Sequence, residues 1–202
     1  MRKILPLFLL ALALVSTLPA AADPGFELTP FVGYRFAGEF NVDDPFFDLF
    51  ADPEIDESES LGVILSFPIH DNFYVELLYS TQDSDLLVSS GIFAPEEVIT
   101  DVTLDYAMVG ITWQWSPGQV RPFLGVSAGA AQFDPGGGFG SETSLALDVH
   151  GGVKLMFTNH LGVRLEARAY YVDFGEIDLD DCCDDTGSFY QVEAGGGLIL
   201  KF

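Results

Sequence analysis

The sequence predicts an all-β fold: an eight-stranded antiparallel up-and-down transmembrane β-barrel, preceded by a cleaved signal peptide. Three observations carry this expectation. From Phe26 onward, apolar and polar residues alternate with period two. Short turns and long polar connections alternate along the chain. Beyond the leader, every basic residue falls on the face opposite the large apolar side chains.

The leader comes first. Met1-Arg2-Lys3 is a short positive region, Ile4 to Val15 is an apolar run, and Ala20-Ala21-Ala22 is a small-residue cleavage site ahead of Asp23. This divides the chain into a signal peptide at 1–22 and one domain at 23–202. The junction has no Cys, so a lipoprotein route is not expected. The rest of the chain contains no second apolar run of about 18 residues, as a transmembrane helix would need. Yet 49% of all residues are hydrophobic. Apolar residues spread at intervals are the signature of strands that cross a membrane.

The strands follow in order. The first sets Phe26, Leu28, Pro30, Val32, Tyr34 and Phe36 against Glu27, Thr29, Gly33 and Arg35. The second sets Leu61, Val63, Leu65, Phe67 and Ile69 against Ser60, Gly62, Ser66 and Pro68; the third sets Phe73, Val75, Leu77 and Tyr79 against Tyr74, Glu76, Ser80 and Gln82. In the fourth, within 98–115, Leu104, Tyr106 and Met108 alternate on one phase and Val109, Ile111, Trp113 and Trp115 on the other. A bulge near Gly110 would reconcile them. The fifth places Leu124, Val126, Ala128 and Ala130 opposite Arg121, Gly125, Ser127 and Gly129. In the sixth, Leu145, Leu147, Val149, Val153, Leu155 and Phe157 oppose Asp148, His150, Gly152 and Lys154. The seventh sets Leu161, Val163, Leu165, Ala167, Ala169 and Tyr171 against Arg164, Glu166, Arg168 and Tyr170. The eighth sets Tyr190, Val192, Ala194, Leu198, Leu200 and Phe202 against Gln191, Glu193 and Lys201.

Turns fall at 70–72, 116–119 and 158–160, and long polar segments at 39–59, 83–97, 134–143 and 174–187. Three short turns and four long loops, with both ends of the domain on the short side, fit periplasmic turns and extracellular loops.

Charge sets the inside. The basic residues beyond the leader are Arg35, Arg121, Lys154, Arg164, Arg168 and Lys201. Sharing their face are Glu27, Glu76, Asp105, Asp148, His150, Glu166 and Glu193. An Arg or Lys facing lipid at mid-bilayer costs about 2–4 kcal/mol. A slip of one residue would expose the whole set. These groups are therefore expected to pair inside a plugged lumen, since eight strands leave room only for side chains. Inward glycines at 33, 62, 125, 129, 152, 162, 195 and 197 would give Arg and Lys room. A charge-lined conduit or proton path is the alternative. A lipocalin-like soluble barrel would instead carry charged outer stripes, and these stripes carry almost none. Aromatics near the strand ends fit interfacial girdles: Phe67, Phe73, Trp113, Trp115, Phe157 and Phe202 at one rim, and Tyr34, Phe36, Tyr79 and Tyr171 at the other.

The formal net charge is −23, and removing Arg2 and Lys3 takes the mature chain to −25. Such a balance argues against nucleic acid as a partner.

The chain resembles the outer-membrane β-barrel domain family of small OmpA-, OmpX- and OmpW-like proteins. The resemblance rests on Arg121-Pro122-Phe123-Leu124-Gly125, Gly151-Gly152-Val153-Lys154, the segment from Asn159 to Arg168, and the segment from Gly195 to Phe202. It covers 26–202 and implies residence in a Gram-negative outer membrane, among its lipid and lipopolysaccharide. The terminal Phe202 resembles the signal read by the barrel-assembly machinery. Family members differ in activity, so the resemblance implies fold and place only.

Chemistry is sparse. His150 lies two residues from Asp148 on the inner face, as a base and its orienting group would, but Ser127 is not placed to act as nucleophile. No catalytic residue and no cofactor are expected. The first loop carries Asp43, Asp44, Asp48, Asp52, Glu54, Asp56, Glu57 and Glu59, in company with Phe46, Phe47, Leu49 and Phe50. The last carries Glu176, Asp178, Asp180, Asp181, Asp184 and Asp185. Solvated acidic loops are the plain reading, and weak divalent-cation binding at the last loop is the sharper one; no EF-hand spacing is present. Cys182 and Cys183 are adjacent and would form a vicinal disulfide or bridge to another chain. The function expected is a non-enzymatic barrel with a structural or surface-interaction role. A narrow OmpW-like channel for small solutes is the alternative, and a lipid-modifying enzyme the weaker one.

Overall fold

The computed structural model describes residues 25–36, 38–42, 53–88, 97–115, 118–135, 141–179 and 183–202. The proposed signal peptide lies outside them. Among the described residues, ten strands form one closed sheet: β1 (Glu27–Arg35), β2 (Gly38–Val42), β3 (Pro53–Ile55), β4 (Ser58–His70), β5 (Phe73–Val88), β6 (Glu97–Gln114), β7 (Val120–Pro135), β8 (Glu142–Met156), β9 (Leu161–Leu179) and β10 (Cys183–Lys201). Eight of these are the staves. β1 pairs antiparallel with both β4 and β10, which closes the barrel and removes its edges. The short β2 and β3 extend the first hairpin at the extracellular end, β2 beside β10 and β3 beside β5.

Alternation does what the residue pattern requires. Val32, Leu77, Val126, Leu147, Leu165 and Leu198 stand exposed on the outer wall, while Arg35, Lys154, Arg164 and Arg168 are at most 2% exposed. A soluble protein would reverse this partition. At the periplasmic end, Phe26 stacks on Phe202 with centroids 4.8 Å apart, and Trp113 lies 4.2 Å from Trp115. Tyr171 and Tyr190 pair at 5.0 Å on the extracellular side. Val126, 60% exposed on β7, sits inside this belt. Val126→Arg is expected to cost about 2–4 kcal/mol, measured by urea unfolding in phospholipid vesicles.

Three expectations are corrected. β6 carries no bulge at Gly110: its register with β7 runs unbroken from Val102 to Gln114. Leu104, Tyr106, Met108, Gly110, Thr112 and Gln114 all point inward. Its phase misleads because the extracellular half of the lumen is apolar, so large side chains there do not mark the outside. Asp105 consequently lies on the outer wall, not in the lumen. Its backbone stands between Thr81 and Gln132, which also face outward. Finally, the long polar segments are partly ladder. Strands β9 and β10 pair as far as Cys183↔Leu179. Strand pairing satisfies backbone groups in lipid and in water alike, so the ladder continues past the apolar belt.

Candidate functional site: the charged lumen

Four cations and five carboxylates are buried in the lumen among the described residues: Arg35, Lys154, Arg164 and Arg168, with Glu27, Glu76, Asp148, Glu166 and Glu193. They meet because β1, β5, β8, β9 and β10 each point alternate polar residues at the axis. At the periplasmic end, Lys154 Nζ donates to Glu27 at 2.7 Å and lies 4.7 Å from the Tyr74 ring centroid. Above it, the Arg164 guanidinium forks onto both oxygens of Glu76, at 2.7 and 3.0 Å, and its Nε donates to Glu166 at 2.7 Å. Such bidentate pairing is the strong form of a charged hydrogen bond. The Ser66 hydroxyl adds a third donor to Glu76, at 2.8 Å.

Arg168 continues the chain to Asp148 at 2.8 Å and to Glu166 at 3.4 Å. His150 Nδ1 lies 2.7 Å from Asp148, and its Nε2 lies 3.0 Å from Thr112 Oγ1. A tautomer protonated at Nδ1 donates to the carboxylate and accepts from the hydroxyl, which satisfies all three groups. His150 therefore meets Asp148 through one nitrogen and Thr112 through the other, with Glu76 Oε2 3.5 Å from the same Nε2. Ser127 faces Asp148 in the ladder but makes no hydrogen bond to the histidine among the described residues.

A second cluster sits higher. Arg35 Nε donates to Glu193 at 2.5 Å, and its other nitrogens reach Gln82, at 3.3 Å, and Ser80. Its guanidinium lies over Tyr106 and Tyr170, at 4.8 and 5.4 Å, and those rings stack at 4.2 Å. Cation–π contact and the ion pair together hold an arginine that no water reaches. Above Tyr106 and Tyr170 the lumen turns apolar. Val102, Leu104, Ala131, Phe133, Ala146, Val172 and Phe189 pack there at 8% exposure or less.

Two expected members stand apart from the network. Arg121 lies at the periplasmic rim, where its Nε donates to the Gly118 carbonyl at 2.6 Å. Lys201 also lies at that rim, with no ion pair among the described residues. The rim borders water, so these charges are hydrated and need no partner. The glycines open space, but for other side chains than expected. Gly125 makes way for His150, Gly62 for Phe31, and Gly33 for Glu193 and Ser60. The sequence pattern does not single out Gln82, Thr112 or the tyrosine pair as partners, although Gln82 and Thr112 share the parity of the inward charges.

At the extracellular mouth the wall is interrupted. β4 pairs with β5 only from Ser60↔Gln82 downward, and β3 resumes at Ile55↔Leu86. A cleft of about 500 Å³ opens there, lined by residues that include Asp56, Glu57, Asp83 and Asp101. Ser84 Oγ bridges it by donating to the Asp56 carbonyl at 2.6 Å. Asp180, Asp181 and Cys182 lie outside the described residues. For Asp178, Cys183, Asp184 and Asp185 the backbone alone is described, within the β9–β10 hairpin. No group of three or more metal-ligating residues occurs among the described residues.

The profile of the family described as outer membrane protein beta-barrel domain matches residues 7–196. The chain belongs to that family. This outer-membrane barrel is therefore a protein of the Gram-negative outer membrane. Solved structures agree in fold. The barrel is similar to the outer membrane protein OprG from Pseudomonas aeruginosa, with TM-score 0.60 and 15% identity, over 89% of this chain and 96% of that one. AlkL, solved in lipid bilayers, gives 0.58 and 15%, over 92% and 94%. Neisserial surface protein A gives 0.53 and 16%, over 86% and 97%. No curated protein sequence matches the chain.

Proposed function

We propose that this outer-membrane barrel is a non-enzymatic, non-conducting scaffold whose lumen is sealed and whose role lies in the envelope itself and at the extracellular surface. The single observation that carries the reading is the continuity of the plug. Ion-paired Lys154, Arg164 and Arg168 fill the periplasmic half, and Arg35 with stacked Tyr106 and Tyr170 fills the middle. Leu104, Phe133 and Phe189 close the top. An ion crossing this path would have to break paired charges and then enter a dry apolar layer.

Planar-bilayer recording tests it. Folded protein is expected to give no unitary openings above the lipid baseline, even at high applied voltage. Discrete, reproducible steps would replace the scaffold with the channel reading. The acidic external segments support an exposed role, since their charge keeps that face hydrated and repels like surfaces.

A further inference from the structure

The outer wall is not equally tall all the way round. On β5 the outward apolar run is Phe73, Val75, Leu77 and Tyr79, bounded by Asp71 below and Thr81 and Asp83 above. On β4 it spans 61–69, with Glu59 above; on β6 it spans 107–115, with Asp105 above. The far side is longer. On β8 the outward run extends over 145–157, and on β10 over 190–202. With a rise of about 3.3 Å per residue and a tilt of about 40°, the belt is about 15 Å tall at β5, about 20 Å at β4 and β6, and about 30 Å at β8 and β10. A belt of about 25 Å is usual.

The difference lies at one end. Phe26, Phe67, Phe73, Trp113, Trp115, Phe157 and Phe202 all lie next to the periplasmic turns or the chain ends, so the periplasmic boundary is nearly level. The extracellular boundary therefore dips across β4–β6, where Glu59, Thr81 and Asp105 take outward positions that are apolar on β8–β10.

We propose that the barrel acts as a wedge in the bilayer, thinning the extracellular leaflet beside β4–β6 so that the polar head-group layer descends to Thr81 and Asp105. A flat leaflet would leave Asp105 in hydrocarbon, where a carboxylate is costly. Deforming lipid costs far less per ångström, so the leaflet yields. The surface thus fits one partner, the head-group layer of a locally thinned membrane. The wall interruption and its cleft stand directly above the thinned sector. This gives the barrel one lipid-perturbing side and one ordinary side.

Site-directed nitroxide labelling in dioleoyl phosphatidylcholine vesicles tests the wedge. With Cys182 and Cys183 replaced by serine, single cysteines at Thr81→Cys and Ala169→Cys each lie eight residues above a periplasmic-end residue, Phe73 or Leu161. The label at 81 is expected to collide at least fivefold more often with a water-soluble nickel chelate, and less often with oxygen, than the label at 169. Equal, oxygen-dominated collision at both sites overturns the proposal. Labels at Phe73→Cys and Leu161→Cys are expected to report the same depth; a shift of one inward and the other outward would mean a tilted rigid barrel, and also overturns it. Asp105→Cys, eight residues above Trp113, and Ala169→Cys form a second matched pair should Thr81→Cys not assemble. For that pair the same inequality supports the wedge, and its absence overturns it.

Discussion

Arg164→Leu is expected to destabilise the folded barrel by about 3–5 kcal/mol, the range for removing one partner of a buried ion pair. The guanidinium is the only donor joining Glu76 to Glu166 among the described residues. Its loss leaves Glu76 with Ser66 and the more distant Lys154 at 3.8 Å. Glu166 keeps a single long contact to Arg168. The apolar volume of leucine cannot compensate carboxylates that no solvent reaches. Urea unfolding followed by the fluorescence of Trp113 and Trp115, with the heat-modifiable gel shift as the assembly readout, measures the loss. The double variant Arg164→Leu/Glu76→Gln should recover part of it, because a neutral amide tolerates the dry site better than an unpaired charge. A single variant as stable as the parent would show that the network is ornamental.

The second large effect concerns space. Gly152→Ala places a methyl group against the Leu165 carbonyl, with Glu166 Cα at 2.8 Å and Phe123 Cζ at 2.9 Å. Two of those three neighbours are backbone atoms of β9, which cannot retreat without opening the β8–β9 ladder. The cost is expected at the top of the usual overpacking range of about 1–3 kcal/mol, with slower assembly in vesicles. Gly196→Ala is the control. It faces outward, and its new methyl meets only the flexible Leu165 Cδ2 at 3.1 Å and a carbonyl at 3.4 Å. Its effect should be under about 1 kcal/mol. Equal behaviour of the two variants would contradict the packing argument.

Both predictions depend on residues whose inward direction is written in the chain. Period-two alternation assigns faces wherever lipid and lumen differ in polarity, because the penalty for a misplaced Arg or Lys exceeds any local preference. Hence Arg35, Lys154, Arg164 and Arg168 could be placed inside from their neighbours alone. The rule lapses where the lumen itself becomes apolar. On β6, Leu104, Tyr106 and Met108 look like lipid-facing residues, and only the unbroken register with β7 shows that they point into the lumen. Asp105 changes sides for the same reason. Partner choice is equally invisible in one dimension. His150 has Asp148 two residues away, but Thr112 comes from a strand thirty-eight residues distant.

By itself, then, the sequence determined the number of staves, their antiparallel order, the inward face of seven of them and the membrane in which they sit. Each follows from a strong local contrast between lipid and water. The tertiary structure alone decided which charges meet, where the lumen turns from charged to dry, and on which side of the wall Asp105 lies. These depend on barrel closure and stagger, which bring side chains from separate strands to one height and which no periodicity along a single strand records.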